Sequence, residues 1–466
     1  MESERKENYK TYFGRYYVLT AISLLSAHQN VSWATFGSIA IEAWQAYGLT
    51  AIEVTLLPAY GSLGFILFTI PFVWCLKRFG LRVVGVSGAW ILALGCTMRV
   101  FVPYAPNASD WVWLIHVGHI LIGYVGLPVM ILPPKISSIW FSPKERVFAT
   151  AVAVTSQSLG VALGFIMNPY LTQEYSIRTM LIVQAEMSLF IAIFFSIYFP
   201  PHPPTPPSVS AKEERVDFMK SLKELLRNHS YIVLVLSGGI VMGGSFGFQS
   251  VLSVILNPSS GFNDKVKVDS IWSFLRSTSW MGAVSAILGS ISGQITGLLA
   301  DRFQRKFKVI LLVLMSLTTL SVLWFALSIY GWGSSNPVNL FITYSLFYTF
   351  SFASMPIYYE AAVEATYPIS EGISGGILTL SCNAAILIFA VIGLAGVFSL
   401  DHPERAKAMT WTMTGLSTLS LLILLFYFEH YKRLSVDTAT KQKENQNKCL
   451  SKLLPDNDEK QLLLND

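Results

Sequence analysis

Gly297-Leu298-Leu299-Ala300-Asp301-Arg302-Phe303-Gln304-Arg305-Lys306 joins the end of one apolar run, Phe274 to Ala300, to the start of another, Val309 to Tyr330. A segment that passes so abruptly from apolar to basic marks the point where one membrane-crossing helix leaves the bilayer and the next enters. Gly297 permits close helix approach. Asp301 is placed to pair with basic neighbours and with a nearby helix N-terminus. Arg302, Arg305 and Lys306 hold the loop on the cytosolic side.

Outward from this loop the chain resolves into roughly twelve apolar stretches of spanning length. Spans 1 to 6 run from Tyr16 to Ile39, Glu53 to Leu76, Val83 to Pro103, Trp111 to Pro133, Phe148 to Leu171 and Thr179 to Phe199. Spans 7 to 12 run from Tyr231 to Leu256, Phe274 to Ala300, Val309 to Tyr330, Val338 to Ala361, Ile373 to Leu400 and Lys407 to Phe428. The organisation that follows is an N-terminus (1–15), an N-terminal bundle (16–199), a linker (200–230), a C-terminal bundle (231–428) and a tail (429–466). The fold class is an all-α membrane protein of twelve transmembrane helices in two six-helix bundles around a central cavity.

Composition agrees. Of 466 residues, 53% are hydrophobic and only 13% charged, with a mean hydropathy of +0.51. A soluble surface needs about a quarter of its residues charged, so much of this one faces lipid. The net charge of +5 is spread over loops, sets orientation and does not indicate nucleic-acid binding. Met1 to Arg15 is polar, and the apolar run after it is too long for a cleaved leader, so span 1 reads as an uncleaved signal anchor. Cys75, Cys96, Cys382 and Cys449 show no metal-ligand spacing, and no disulfide, metal or cofactor is expected. No nucleophile–base constellation appears, which argues against an enzyme.

Between the halves, Pro200-Pro201-His202-Pro203-Pro204-Thr205-Pro206-Pro207 predicts a stiff polyproline II spacer. Lys212 to Arg227 follows with Val216, Met219, Leu222 and Leu226 at helical spacing. It fits an amphipathic helix on the membrane surface and a solvated linker helix equally. Lys and Arg cluster in alternate loops (Lys77, Arg78, Arg82; Lys144, Arg146; Arg302 to Lys308) and after span 12 (Lys432, Arg433), which places both termini in the cytosol. Asn107-Ala108-Ser109 then lies outside the cytosol, available for glycosylation.

The Gly297 to Lys306 loop resembles the loop signature of the major facilitator superfamily. The equivalent loop, Trp74 to Arg82, keeps Gly80 and Arg82 but has Lys77 where that family has an acid. Longer blocks narrow the resemblance: Trp33 to Ile39, Trp140 to Arg146, the Pro-rich linker, and Tyr359 to Gly372 with its Glu-x-x-x-Glu-x-x-Tyr-Pro-x-x-Glu-Gly pattern. These are similar to solute carrier family 49. The resemblance implies a lysosomal carrier, in its nearest branch a proton-coupled carrier of pyridoxine. Other branches are implied to carry choline, ethanolamine or haem. Asp458-Glu459-Lys460-Gln461-Leu462-Leu463, read again with Leu464, fits an acidic dileucine address that a clathrin adaptor binds. A non-transporting receptor or scaffold is the rival of another class, and it lacks a large soluble domain.

Polar groups inside spans are costly and mark cavities or internal partners. Gln29 and Trp33 in span 1, Gln249 in span 7 and Asn383 in span 11 are the candidate solute contacts. The resemblance implies a cavity tryptophan at Trp33, while Asn383 and Ser158 stand where choline-carrying relatives have glutamine. Candidate proton carriers are His116 and His119, which share a face of span 4 with Gly123 and Gly126, and Glu186 in span 6. Each has a structural alternative; Glu186 has a pairing with Arg99 or Arg178. Arg99, near the end of span 3, is expected to snorkel. Gly160 and Gly164 form a packing face, and the many glycines of span 7 suggest a helix that bends. Asp301, Arg302, Arg305, Glu360, Glu364 and Glu371 are the candidate gate.

Overall fold

The computed structural model describes residues 11–104, 110–141, 145–205, 218–256, 277–302, 306–332, 336–369, 371–394 and 403–432. Asn107, Arg305, the dileucine tail and Cys449 lie outside them, as do the side chains of Asp301, Arg302 and Glu371.

In the N-terminal half the helices are α1 (Gly14–Trp33), α2 (Thr35–Ser38), α3 (Ala40–Tyr47), α4 (Ala51–Val100), α5 (Trp113–Tyr124), α6 (Gly126–Trp140), α7 (Arg146–Glu174) and α8 (Ile177–Ile197). The linker contributes α9 (Phe218–Leu225). The C-terminal half holds α10 (His229–Ser250), α11 (Leu252–Ile255), α12 (Thr278–Arg302), α13 (Phe307–Ile329), α14 (Pro337–Thr366), α15 (Glu371–Leu394) and α16 (Pro403–Leu425). Among the described residues there is no strand.

Among the described residues, nine stretches are long and apolar enough to cross a membrane. The expected spans 1, 5 and 8 correspond to α1, α7 and α12, which also have spanning length. Their polar residues point inward: Gln29, Asn168 and Ser285 are all buried. Lipid-facing positions are apolar, among them Leu67, Ile70, Leu94, Ile193 and Leu320.

As expected, spans 2 and 3 are separate: α4 carries both and is broken between them at Gly80, whose φ of 79° suits a residue without Cβ. Other boundaries differ from the sequence expectation: span 4 breaks at Val125 into α5 and α6 and runs on to Trp140, and span 7 breaks at Val251. Span 1 breaks after Trp33 and again at Ile39, so its last turns form separate short helices.

The halves repeat one packing unit. α1 lies along α7, and α10 lies along α15 in the corresponding place. A Cβ at Gly160 would meet the Ala27 backbone, and one at Gly164 would stand 3.3 Å from Val31. In the C-terminal half the glycines sit on the other partner: Gly239 faces Ser381, and Gly243 faces Cys382. Such close approach is what holds helices together in lipid, where apolar burial gives little net drive. In this conformation Gly239 and Gly243 serve packing, and α10 is unbroken from His229 to Ser250.

The halves meet through α7 on α12 and α4 on α15. On the face away from the chain ends, one apolar core runs across both halves, including Phe36, Phe165, Phe248, Met281 and Tyr344. On the terminal face each half has its own core, one around Leu25, Phe72 and Phe195, the other around Leu234, Met315 and Leu424. The halves thus share one core distally and have distinct cores nearer the termini, with Leu380 of α15 packed against the N-terminal one. The linker helix α9 inserts Leu225 beside Tyr231 and Ala362, so it is seated against the C-terminal half rather than only on a membrane or in solvent. Lys308 Nζ donates to the Leu425 and Tyr427 carbonyls at 3.1 and 2.6 Å, satisfying carbonyls left open at the end of α16.

Candidate functional site

Gln29 and Trp33 stand one turn apart on α1, so they share a face. Gln29 is buried, and its amide donates to the Ile122 carbonyl at 3.3 Å. Trp33 is half-buried; its indole N–H donates to the Pro58 carbonyl at 3.2 Å. Behind the indole, α4 and α5 touch backbone to backbone: a Cβ on Gly123 would lie 2.6 Å from the Gly61 Cα. The ring is therefore fixed in rotation and backed by a flat wall.

Near this wall lie the two histidines. His116 Nδ1 is 3.0 Å from the Tyr60 hydroxyl, and its Nε2 is 3.8 Å from Glu53 Oε1. Glu53 also completes a capping box with Thr50 at the start of α4. His119 is fully buried against the Phe36 ring, 5.9 Å between centroids. Neither of its ring nitrogens has a well-formed hydrogen bond, although the Trp33 backbone is within reach.

Arg99 does not snorkel. It is wholly buried, and its guanidinium joins α1, α4 and α8. Nη2 donates to Gln184 Oε1 at 2.8 Å and lies 3.5 Å from Cys96 Sγ; Nη1 donates to the Ser32 carbonyl at 3.3 Å. Among the described residues, Nε has no partner and no carboxylate is within salt-bridge distance. Gln184 in turn donates to Asn168 Oδ1 at 2.8 Å and Thr35 Oγ1 at 3.0 Å. Sequence inspection missed this cluster because Arg99 lies near a span end, where a snorkelling side chain is the ordinary outcome.

Glu186 lies on the other side of α8. It is exposed, among the lipid-facing Ile182, Leu189 and Phe190. The expected burial is not met, and it pairs with neither Arg99 nor Arg178 in a salt bridge among the described residues. Positions 184 and 186 are about 200° apart on a helix, so burying Gln184 turns Glu186 out.

In the C-terminal half, Gln249 is fully buried and accepts from the Tyr348 hydroxyl, while its Nε2 has no partner. Tyr348 stacks on Phe352 at 4.3 Å. Asn383 is buried, and its amide donates to the Thr379 carbonyl at 2.9 Å. Gln29 and Trp33 thus share one wall; Gln249 and Asn383 are bonded within the other half, and no hydrogen bond among described residues joins the pairs. Between the halves, Gln294 Nε2 donates to Thr155 Oγ1 at 3.1 Å.

Of the candidate gate, Glu360 is exposed at the terminal end of α14, and Glu364 is buried. An ion pair not anticipated from sequence stands on that face: Arg15 Nη1 to Glu145 Oε2 at 2.7 Å, with Arg15 over the Tyr16 and Phe141 rings. Among the described residues no His/Cys/Asp/Glu group could hold a metal.

Residues 12–367 match the family model described as Major Facilitator Superfamily. Solute carrier family 49 member 4 homolog of Xenopus laevis is 33% identical over 91% of this chain and 93% of its own length. Choline/ethanolamine transporter FLVCR1 of Felis catus is 26% identical, covering 88% of this chain and 72% of the relative. Among solved structures, a bacterial homolog of the human lysosomal transporter Spinster, in an inward-facing and occupied conformation, superimposes with a TM-score of 0.63. It is 13% identical and covers 90% of this chain and 97% of its own.

Proposed function

This chain belongs to solute carrier family 49 of the Major Facilitator Superfamily, and from that premise we propose that it is a proton-coupled carrier of pyridoxine across the lysosomal membrane. It is a multi-pass membrane transporter of a small molecule and not an enzyme; solute, coupling and compartment are the proposal. The observation that carries it is Trp33: a half-buried indole, held by Pro58 and backed by the Gly61–Gly123 contact. A ring fixed in this way offers its face to a flat aromatic solute. Gln29 edges the same wall.

For the proton, His116 with Glu53 and Tyr60 is the best-placed group. A histidine changes charge in the range between an acidic lumen and a neutral cytosol, and protonated His116 gains an ion pair with Glu53. His119 lies deeper, beside the fixed charge of Arg99. The dileucine pattern, Asp458 to Leu464, supports the compartment and gives a clathrin adaptor something to bind.

In proteoliposomes with an acidic and a neutral lumen, the purified protein should take up labelled pyridoxine in a pH-dependent manner. Trp33→Ala should abolish uptake while sorting in cells stays intact. Undiminished uptake by that variant removes Trp33 from the site. A second reading, an organic-cation carrier, is favoured by the printed function of the Felis catus relative and by the attraction of a cation to an indole face. Uptake of labelled choline that pyridoxine does not inhibit would establish it instead.

A further inference from the structure

We propose that Arg99 is a specificity-determining residue: its buried charge, unmatched by a carboxylate among the described residues, selects against permanent cations at the Trp33 wall. The inference deepens the proposed function and rests on its placing of the solute at Trp33. Arg99 is 0% exposed, and the hydrogen-bond acceptors around it are the Ser32 carbonyl, Thr35 Oγ1, the Gln184 amide oxygen and Cys96 Sγ, with no carboxylate among the described residues. Its Nη1 holds the carbonyl immediately before Trp33, so the charge sits one peptide unit from the residue that presents the wall. The guanidinium also faces the Phe36 ring at 5.8 Å, on the same stretch of span 1.

Leaving a guanidinium buried without a carboxylate is costly. Packing alone does not need it, since a neutral donor of similar length would also satisfy Gln184. What only a charge supplies is a long-range field, weakly screened inside the protein. At an effective dielectric of about 20, a unit charge ~10 Å away changes the affinity of a cation by roughly tenfold or more. A neutral or zwitterionic ring escapes most of that penalty; a quaternary ammonium does not.

The test uses two probes that differ in charge, pyridoxine and its N-methylpyridinium derivative, with choline as a further cation. Binding to full-length protein in nanodiscs is read by ligand-induced thermal stabilisation, and uptake is measured in proteoliposomes. Wild-type protein should favour the neutral probe. Arg99→Gln should move the cation-to-neutral affinity ratio about tenfold toward the cation, whereas Arg99→Lys, which keeps the charge, should retain the wild-type ratio. Cys96→Asp places a carboxylate beside the guanidinium without removing it, and should shift the ratio in the same direction as Arg99→Gln. It serves as the deciding variant if Arg99→Gln does not fold.

A wild-type preference for the cation overturns the proposal, as does a ratio unmoved by Cys96→Asp or a Lys variant that behaves like the Gln variant. If pyridoxine itself is not carried but the charge ratio still moves with Arg99 and Cys96 when choline is compared with a neutral isostere, the solute assignment fails and the role of Arg99 stands.

Discussion

Replacing Gln184 by leucine should cripple the N-terminal half, and neutralising Glu186 two residues away should leave it intact. Gln184 makes side-chain bonds to Arg99, Asn168 and Thr35. A hydrogen bond to a charged group contributes about 1.5–3 kcal/mol and a neutral one about 1 kcal/mol, giving a ceiling of roughly 4–5 kcal/mol. Polar contacts between membrane helices average nearer 0.6 kcal/mol, because the separated helices find other partners. The loss of one acceptor from buried Arg99 keeps this case above that average. A cost of about 2–3 kcal/mol follows, or, over 466 residues, a fall in apparent Tm of roughly 2–3 °C. Glu186 faces outward, so Glu186→Gln removes a lipid-facing charge and should change the Tm by about 1 °C or less, or raise it. Fluorescence-detected thermal unfolding in one detergent, with the two variants side by side, reads both values. Equal shifts, or a larger loss for Glu186→Gln, would refute the placement of these side chains.

Two further outcomes follow. His116→Gln and Glu53→Gln should each flatten the dependence of uptake on luminal pH while leaving uptake measurable; a pH profile indistinguishable from wild type removes that pair from proton coupling. Gly160→Val should force α7 away from α1, because a side chain there meets the Ala27 backbone. We expect it to reduce properly folded yield several-fold by size-exclusion chromatography, against little effect for Gly376→Ala, which has open space beside it.

Much of this architecture is legible in the sequence because lipid imposes it. A continuous apolar run with basic ends has few alternatives to spanning, and the described parts of the expected spans lie on helices, with the break in α4 at Gly80 inside the loop expected between spans 2 and 3. The breaks in span 1 and at Val125 in span 4 were not legible. The packing role of Gly160 and Gly164 could be read from their spacing, whereas that of Gly239 and Gly243 could not, because a glycine looks the same in sequence whether it bends or packs.

The site divides in the same way. Trp33 and Gln29 could be picked out as polar or amphipathic groups on one helical face. Glu186 was misjudged although a signal existed: Ile177, Met180, Leu181, Gln184, Ser188, Ile191 and Phe195 recur at helical spacing and form the buried face of α8, and position 186 falls outside it. Arg99 could not be placed from sequence, because its choice between snorkelling outward and turning inward is made by Gln184 and Ser32, which are distant along the chain.

The central claim is a carrier whose halves are joined at the distal seam and must part there to expose the Trp33 wall. A Cβ on Gly37 would lie 3.8 Å from the Ser250 Cα and 2.9 Å from the Ser250 carbonyl oxygen, so once the backbone eases by a few tenths of an ångström a disulfide can join α2 and α10. Labelled-solute uptake by the Gly37→Cys/Ser250→Cys protein, oxidised and then reduced, tests the claim directly. Uptake should fall to background when cross-linking is complete and return on reduction; a fully cross-linked protein that transports at the wild-type rate would contradict it.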